Sequence, residues 1–238
     1  MAPEVCTVTI WTMEIRTPSA DTLARWHAVL SPAETARTER YRFDTDRNAY
    51  IAAHALTRGL LQAIGGRPAA SWQFQETESG KPEIMCPAEE PTLQFSLSHT
   101  RQLVACAATQ GFALGIDAEA LDRTEVGTSV VEAVLSPSEI ALLNAAPARL
   151  RHRTFLQLWT LREAYVKATG KGIHFPREDF SFAFDPLEVS FAGGDDDASE
   201  WQFFAWNASL HMLSLAIRCN QRHRVTLRKR TLVHDELL

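Results

Sequence analysis

The chain has 238 residues, 45% hydrophobic and 22% charged, enough to bury one large core or two small ones and far from a disordered composition. Its net charge of −5 gives no reason to expect nucleic acid or an anionic membrane as a partner, and no stretch approaches the roughly 18 apolar residues of a membrane span. Four scattered cysteines (Cys6, Cys86, Cys106, Cys219) without a CxxC pair, and Glu4 and Glu14 where a signal peptide would be apolar, point to free thiols and a cytoplasmic protein.

In chain order, "CTVTIWTM" (6–13) reads as a strand. "VLSPAE" (29–34) is a helix start, with Ser31 as N-cap, Pro32 at the first helical position and Glu34 closing a capping box. Arg37, Arg40, Arg42 and Arg47 bunch around the end of that helix, a solvated face by default and an anion site second. "YIAAHALTRGLLQAIG" (50–65) is a long helix stopped by Gly65. "ESGKPEI" (78–84) sets Gly80, Lys81 and Pro82 in a loop that lacks Walker A spacing and is at most a short phosphate-touching turn.

"FSLSHT" (95–100) puts Ser98 and His99 at a strand end, either a turn with a surface histidine or a pair of donors for phosphate oxygens. It is not a hydrolase triad, since no GxSxG elbow occurs. "LVACAAT" (103–109) and "FALGIDAE" (112–119) read as a hairpin about Gln110-Gly111.

The first capped helix then returns: "VLSPSE" (134–139) repeats "VLSPAE" at an offset of 134 − 29 = 105. At that offset "FLQLWTLREAYVKATG" (155–170) lies on the first long helix without a gap. "FSFAF" (180–184), "WQFFAW" (201–206) and "HMLSLAIRC" (211–219) follow as strands, with 193–197 as an exposed loop and the basic run from Arg218 to Arg230 as a solvated strand face. The expectation is an α+β fold of two similar halves, 1–110 and 111–238, each a long helix on a small, mainly antiparallel sheet.

In the strand from Leu114 to Glu119, Asp117 and Glu119 share a face about 7 Å apart, close enough to share one hard cation, although for the pair taken alone a solvated strand face is the simpler explanation. Counting by fours, Phe155, Trp159, Glu163 and Lys167 form one line along the second long helix, so Glu163 is the candidate third carboxylate. The plainer reading is an exposed ion pair between Glu163 and Lys167. Lysine is scarce here: Lys81, Lys167, Lys171 and Lys229 stand against a total of 24 basic residues, and three of these fall in the segments above.

Taken in order and spacing, "GKP", "FSLSHT", "LGIDAE" and "WTLREAYVKATGKG" resemble the surfactin-type 4′-phosphopantetheinyl transferase family over about residues 30–185. The resemblance implies a transferase of the holo-acyl-carrier-protein synthase type. Such an enzyme moves 4′-phosphopantetheine from coenzyme A to a serine of an acyl or peptidyl carrier protein with Mg²⁺, releasing adenosine 3′,5′-bisphosphate. It implies a pseudo-symmetric monomer with coenzyme A in the cleft between the halves.

Carried over, Asp117, Glu119 and Glu163 match the Mg²⁺ ligands, and Lys167 the lysine on the pyrophosphate side. Glu163 and Lys167 are the catalytic candidates, with the general base left open between Glu163 and a water beside it. Ser98 and His99 match the 3′-phosphate side, Lys81, Pro82 and Lys171 coenzyme A contacts, and Arg40 and Arg47 the first-half cations. An acidic carrier is expected to dock on the segment from Thr124 to Arg153, with Arg149, Arg151 and Arg153. The rival is a non-catalytic module binding coenzyme A or the carrier, which has little use for three carboxylates beside a pyrophosphate.

Overall fold

Strand alternation and the two serine caps set most element boundaries. The computed structural model describes residues 4–85, 93–123, 127–172, 177–193 and 196–238; Cys86, Thr124 and part of the 193–197 loop lie outside them. The first elements are β1 (Val5–Glu14), α1 (Ala20–His27), α2 (Pro32–Thr38), α3 (Asp44–Gly65), β2 (Phe74–Glu76), β3 (Pro82–Ile84), β4 (Leu93–His99) and β5 (Leu103–Gln110). There follow β6 (Leu114–Ala120), α4 (Thr128–Val134), α5 (Pro137–Ala145), α6 (Ala148–Thr169), β7 (Phe180–Ala183), β8 (Glu188–Phe191), β9 (Trp201–Ala208), β10 (His211–Arg218) and β11 (Arg224–Leu232).

The chain divides into two compact units, one of Val5–Phe112 with Val225–Leu238, the other of Ala113–Arg224 with Glu4. The first has a sheet ordered β11-β1-β5-β4, whose apolar face packs on α3 through Met13, Ile51, Leu56, Leu60, Phe95 and Val104. The second has a sheet ordered β6-β10-β9 and a β7–β8 hairpin, packed on α6 through Leu156, Leu161, Tyr165, Phe180, Trp201 and Met212. Cys6, Cys106 and Cys219 are buried, and burial pushes the Cys106 thiol up to about 12.

Three expectations change. β5 and β6 do not form a hairpin: β5 pairs with β1 and β4, whereas β6 pairs with β10. Gly111, at φ 77°, instead sits at the junction of the units. The tail expected in the second half belongs to the first, where β11 edges the sheet and Leu232 and Leu237 enter the core. Finally, α3 stops at Gly66 (φ 71°) and not Gly65, as α6 stops at Gly170 (φ 69°). Both long helices have 22 residues, offset by 148 − 44 = 104, while the capped starts Pro32 and Pro137 differ by 137 − 32 = 105. The link between capped and long helix is therefore one residue shorter in the second unit.

The corrected offset aligns two buried arginines, Arg58 and Arg162. Ser31 and Ser136 each form a full capping box with a glutamate, and that glutamate also takes the arginine of the long helix. Arg58 reaches both oxygens of Glu34 at 2.8 and 3.1 Å, and Arg162 Nη1 reaches Glu139 Oε2 at 2.7 Å. Each guanidinium also lies over a phenylalanine, Phe74 at 4.6 Å and Phe180 at 4.1 Å. Burial raises the Glu34 carboxyl, but the hydrogen bond and charge of His54 at 2.7 Å, the Ser31 amide and Arg58 outweigh it and hold its pKa at about 2.

A carboxyl depressed from 4.5 to about 2 contributes stability that is complete above pH 4.5 and lost as pH falls towards 2. Glu34→Gln is expected to cost about 3 kcal/mol at neutral pH, since it strands Arg58, and to flatten the fall in unfolding free energy over that window. Urea titrations at several pH values measure this; an unchanged slope between pH 4.5 and 2 would sink the assignment.

Candidate active site

A single glycine determines how near α6 comes to β6. A Cβ at Gly115 would run into the Ala164 carbonyl oxygen and reach 2.5 Å from the Ala168 nitrogen and 2.9 Å from Lys167 Cβ, so only glycine permits this approach. The buried hydroxyls of Thr160 on α6 and Ser214 on the neighbouring strand hydrogen-bond at 2.8 Å, fixing α6 over β10 as well.

The line of side chains on α6 consequently meets β6. Lys167 Nζ donates to Asp117 Oδ1 at 2.7 Å and to the Ile116 carbonyl at 3.2 Å. Trp159 Nε1 donates to Glu119 Oε1 at 3.0 Å, and Arg123 Nη1 donates to the same oxygen at 2.6 Å. Asp117 is buried and Glu163 half-buried. The plain alternative of a surface pair between Glu163 and Lys167 therefore gives way, since the lysine's ion-pair partner is Asp117.

The cluster is electrostatically loaded. Glu163 is raised above the usual carboxylate range, by burial first and then by the charge of Asp117 and, less, that of Glu119, with Lys167 and Arg162 opposing. Glu119 is raised by burial and by Asp117, with Arg123 and Trp159 opposing. Among the described residues no three His, Cys, Asp or Glu side chains stand in metal-holding geometry, because Asp117 and Glu119 are turned to Lys167 and Arg123. The donor chemistry nevertheless fits a hard divalent cation: hard carboxylate oxygens whose mutual repulsion a cation relieves.

Lys171 follows the C-cap of α6 and faces Asp196 at 3.5 Å; Asp196 in turn accepts from Tyr165 Oη at 2.6 Å and Trp201 Nε1 at 3.3 Å. In the other unit Gly80 (φ 80°) makes the tight β2–β3 turn, presenting Lys81 and Pro82, and burial lowers the Lys81 amine. Ser98 is buried and His99 exposed at the end of β4. Arg40 is exposed, and Arg47 pairs with Asp44 at 3.1 Å. Sequence reasoning missed Gly115, Arg123 and the Trp159 hydrogen bond. Only the first left a signal, a glycine inside a strand on the carboxylate face.

Comparison with known proteins identifies the family. Residues 113–226 match the model of the 4′-phosphopantetheinyl transferase superfamily, and residues 16–111 match a model described as 4′-phosphopantetheinyl transferase, N-terminal. The chain is 32% identical over 181 residues to the 4′-phosphopantetheinyl transferase HetI of Nostoc sp., covering 76% of each. It is 29% identical to a phosphopantetheinyl transferase of Thraustochytrium sp., over 88% of this chain and 78% of that one. The 4′-phosphopantetheinyl transferase Sfp of Bacillus subtilis is 25% identical over 66% of this chain and 67% of its own.

Gly115→Ala is expected to lower the unfolding free energy by about 3 kcal/mol, the upper end for overpacking, since the obstacle is helix backbone. Urea denaturation measures it; a loss below about 0.5 kcal/mol would mean that this residue does not set the strand–helix approach.

Proposed function

Because the chain belongs to the 4′-phosphopantetheinyl transferase superfamily, we propose that it transfers 4′-phosphopantetheine from coenzyme A to a serine of an acyl or peptidyl carrier protein. The observation that carries this reading is the convergence of Trp159, Glu163 and Lys167 of α6 on Asp117 and Glu119 of β6. In the transfer the serine Oγ bonds to the phosphorus bearing the pantetheine arm. The bond to the bridging oxygen breaks, adenosine 3′,5′-bisphosphate leaves, and the serine proton passes to a base.

Asp117, Glu119 and Glu163 would hold Mg²⁺, which when bound supplies Lewis-acid neutralisation of the charge growing on the pyrophosphate. Lys167 adds a compact ammonium to the same region, and its bond to the Ile116 carbonyl keeps it against β6 whichever partner Asp117 takes. A carboxyl raised as Glu163 is takes up a proton more readily than an ordinary glutamate, which supports it as one candidate base beside a water. We assign Lys81, Pro82 and Lys171 to coenzyme A, Ser98 and His99 to its 3′-phosphate, and Arg40 and Arg47 to the same anion.

A cytoplasmic monomer is the expected form; among the described residues no helix is long and apolar enough to cross a membrane. For the carrier, a groove of about 450 Å³ among α4, α5 and α6 is lined by Val131, Leu143, Arg151 and Phe155. The exposed Arg149, Arg151 and Arg153 on the first turns of α6 suit an acidic partner there.

Intact-protein mass spectrometry of an apo carrier with coenzyme A, Mg²⁺ and this chain is expected to show one added phosphopantetheine, absent with EDTA or Glu163→Gln. No addition across several unrelated carriers, with coenzyme A binding intact, would favour the non-catalytic module. Lys167→Ala is expected to lower kcat/KM about 100-fold, the loss typical of one charge-stabilising donor. Converting Arg149, Arg151 and Arg153 together to glutamate should raise the carrier KM with kcat kept; an unchanged KM for every carrier would refute the docking surface.

A further inference from the structure

Two side-chain cations already occupy the carboxylate cluster, and they are held very differently. Lys167 rises from α6, and its ammonium is shared between Asp117 and the Ile116 carbonyl. Arg123 sits in the turn after β6, its amide bonded to the Ala120 carbonyl at 3.2 Å, and its side chain is 38% exposed. Apart from Glu119, the guanidinium touches only the Trp159 ring, at 5.8 Å, among its described partners. Lysine is anchored, whereas the arginine can swing into water without stranding another polar group among the described residues.

The glutamate is built to survive that swing. Arg123 and Trp159 donate to the same oxygen, Oε1, so the indole still holds that oxygen once the guanidinium leaves. A guanidinium 2.6 Å from Glu119 lies well within a Debye length of about 8 Å, so its repulsion of an arriving dication is not screened away.

We propose that Arg123 is the resident counter-ion of Glu119 and that a divalent cation binds by displacing it, with Trp159 as the positioning residue that keeps Glu119 aimed at the cluster. This rests on the reading of Asp117, Glu119 and Glu163 as a metal site. Without the cation, Arg123 offsets the repulsion that burial and Asp117 impose on Glu119. With it, the arginine becomes a competitor, so the ion pair sets the cation concentration at which the site fills.

Titrating Mn²⁺ into the full chain without coenzyme A, with free Mn²⁺ counted by electron paramagnetic resonance, tests this independently of turnover. Arg123→Gln is expected to bind Mn²⁺ about two- to fivefold more tightly than wild type, the scale of a partly exposed ion pair, with Arg123→Lys in between. Trp159→Phe, which frees Glu119, is expected to bind more weakly. Equal or weaker binding by Arg123→Gln would overturn the displacement, while loss of Mn²⁺ in Asp117→Asn would leave the metal reading standing. Wild-type protein that takes up no Mn²⁺ would overturn both.

Discussion

A glutamate that caps one helix and pairs with an arginine buried in the next holds each unit together. Glu139, with no exposed surface, accepts from the Ser136 amide, the Phe182 amide and Arg162, which also donates to the carbonyls of Phe180 and Arg177. Such a pair pays for its desolvation only when every donor and acceptor is met, and here they nearly are. It fixes the rotation of α6 about its own axis. The next residue along, Glu163, then faces β6.

The same clamp in the first unit leads to no chemistry. At the corrected offset Glu163 matches Gly59, since 163 − 104 = 59. A Cβ on Gly59 would come within 2.8 Å of Leu237 and 3.4 Å of Trp11, so the place held by a carboxylate in one unit is closed by apolar packing in the other. The segment that closes it follows β11, which adds an edge to the first sheet. One scaffold, folded by one rule, thus carries a loaded carboxylate cluster in one copy and a sealed core in the other.

Much of this was legible in the residues. The serine–proline–glutamate starts state their own capping geometry, and period-two alternation located most strands. The register of the repeat was not legible, because the tandem Gly65-Gly66 offers a stop at either offset and only the αL conformation of Gly66 decides. Strand partners were not legible either: alternation states which face is buried but not which neighbour covers an edge, so β11 and the β5–β6 pair were misassigned. At the site, the fourfold spacing on α6 and the paired acids on β6 were readable. The arginine on Glu119 was not, since a basic residue in a turn carries no sign of its partner.

The clustering of like charge becomes intelligible as a poised balance. Asp117 and Glu119 meet Glu163 and Lys167 closely because Gly115 lets helix backbone touch strand backbone, and that approach withdraws water from Glu119 and Glu163. Burial and the charge of Asp117 work against ionisation of Glu119 and Glu163, while Lys167 and the Trp159 indole from α6 and Arg123 from the turn after β6 work for it. A hydrophobic replacement of the acids would be the more stable solution, as is common for buried charge. Retaining acids and counter-ions together makes physical sense where one counter-ion is meant to be exchanged, and the partly exposed guanidinium of Arg123 is the member of the set that solvent can already reach.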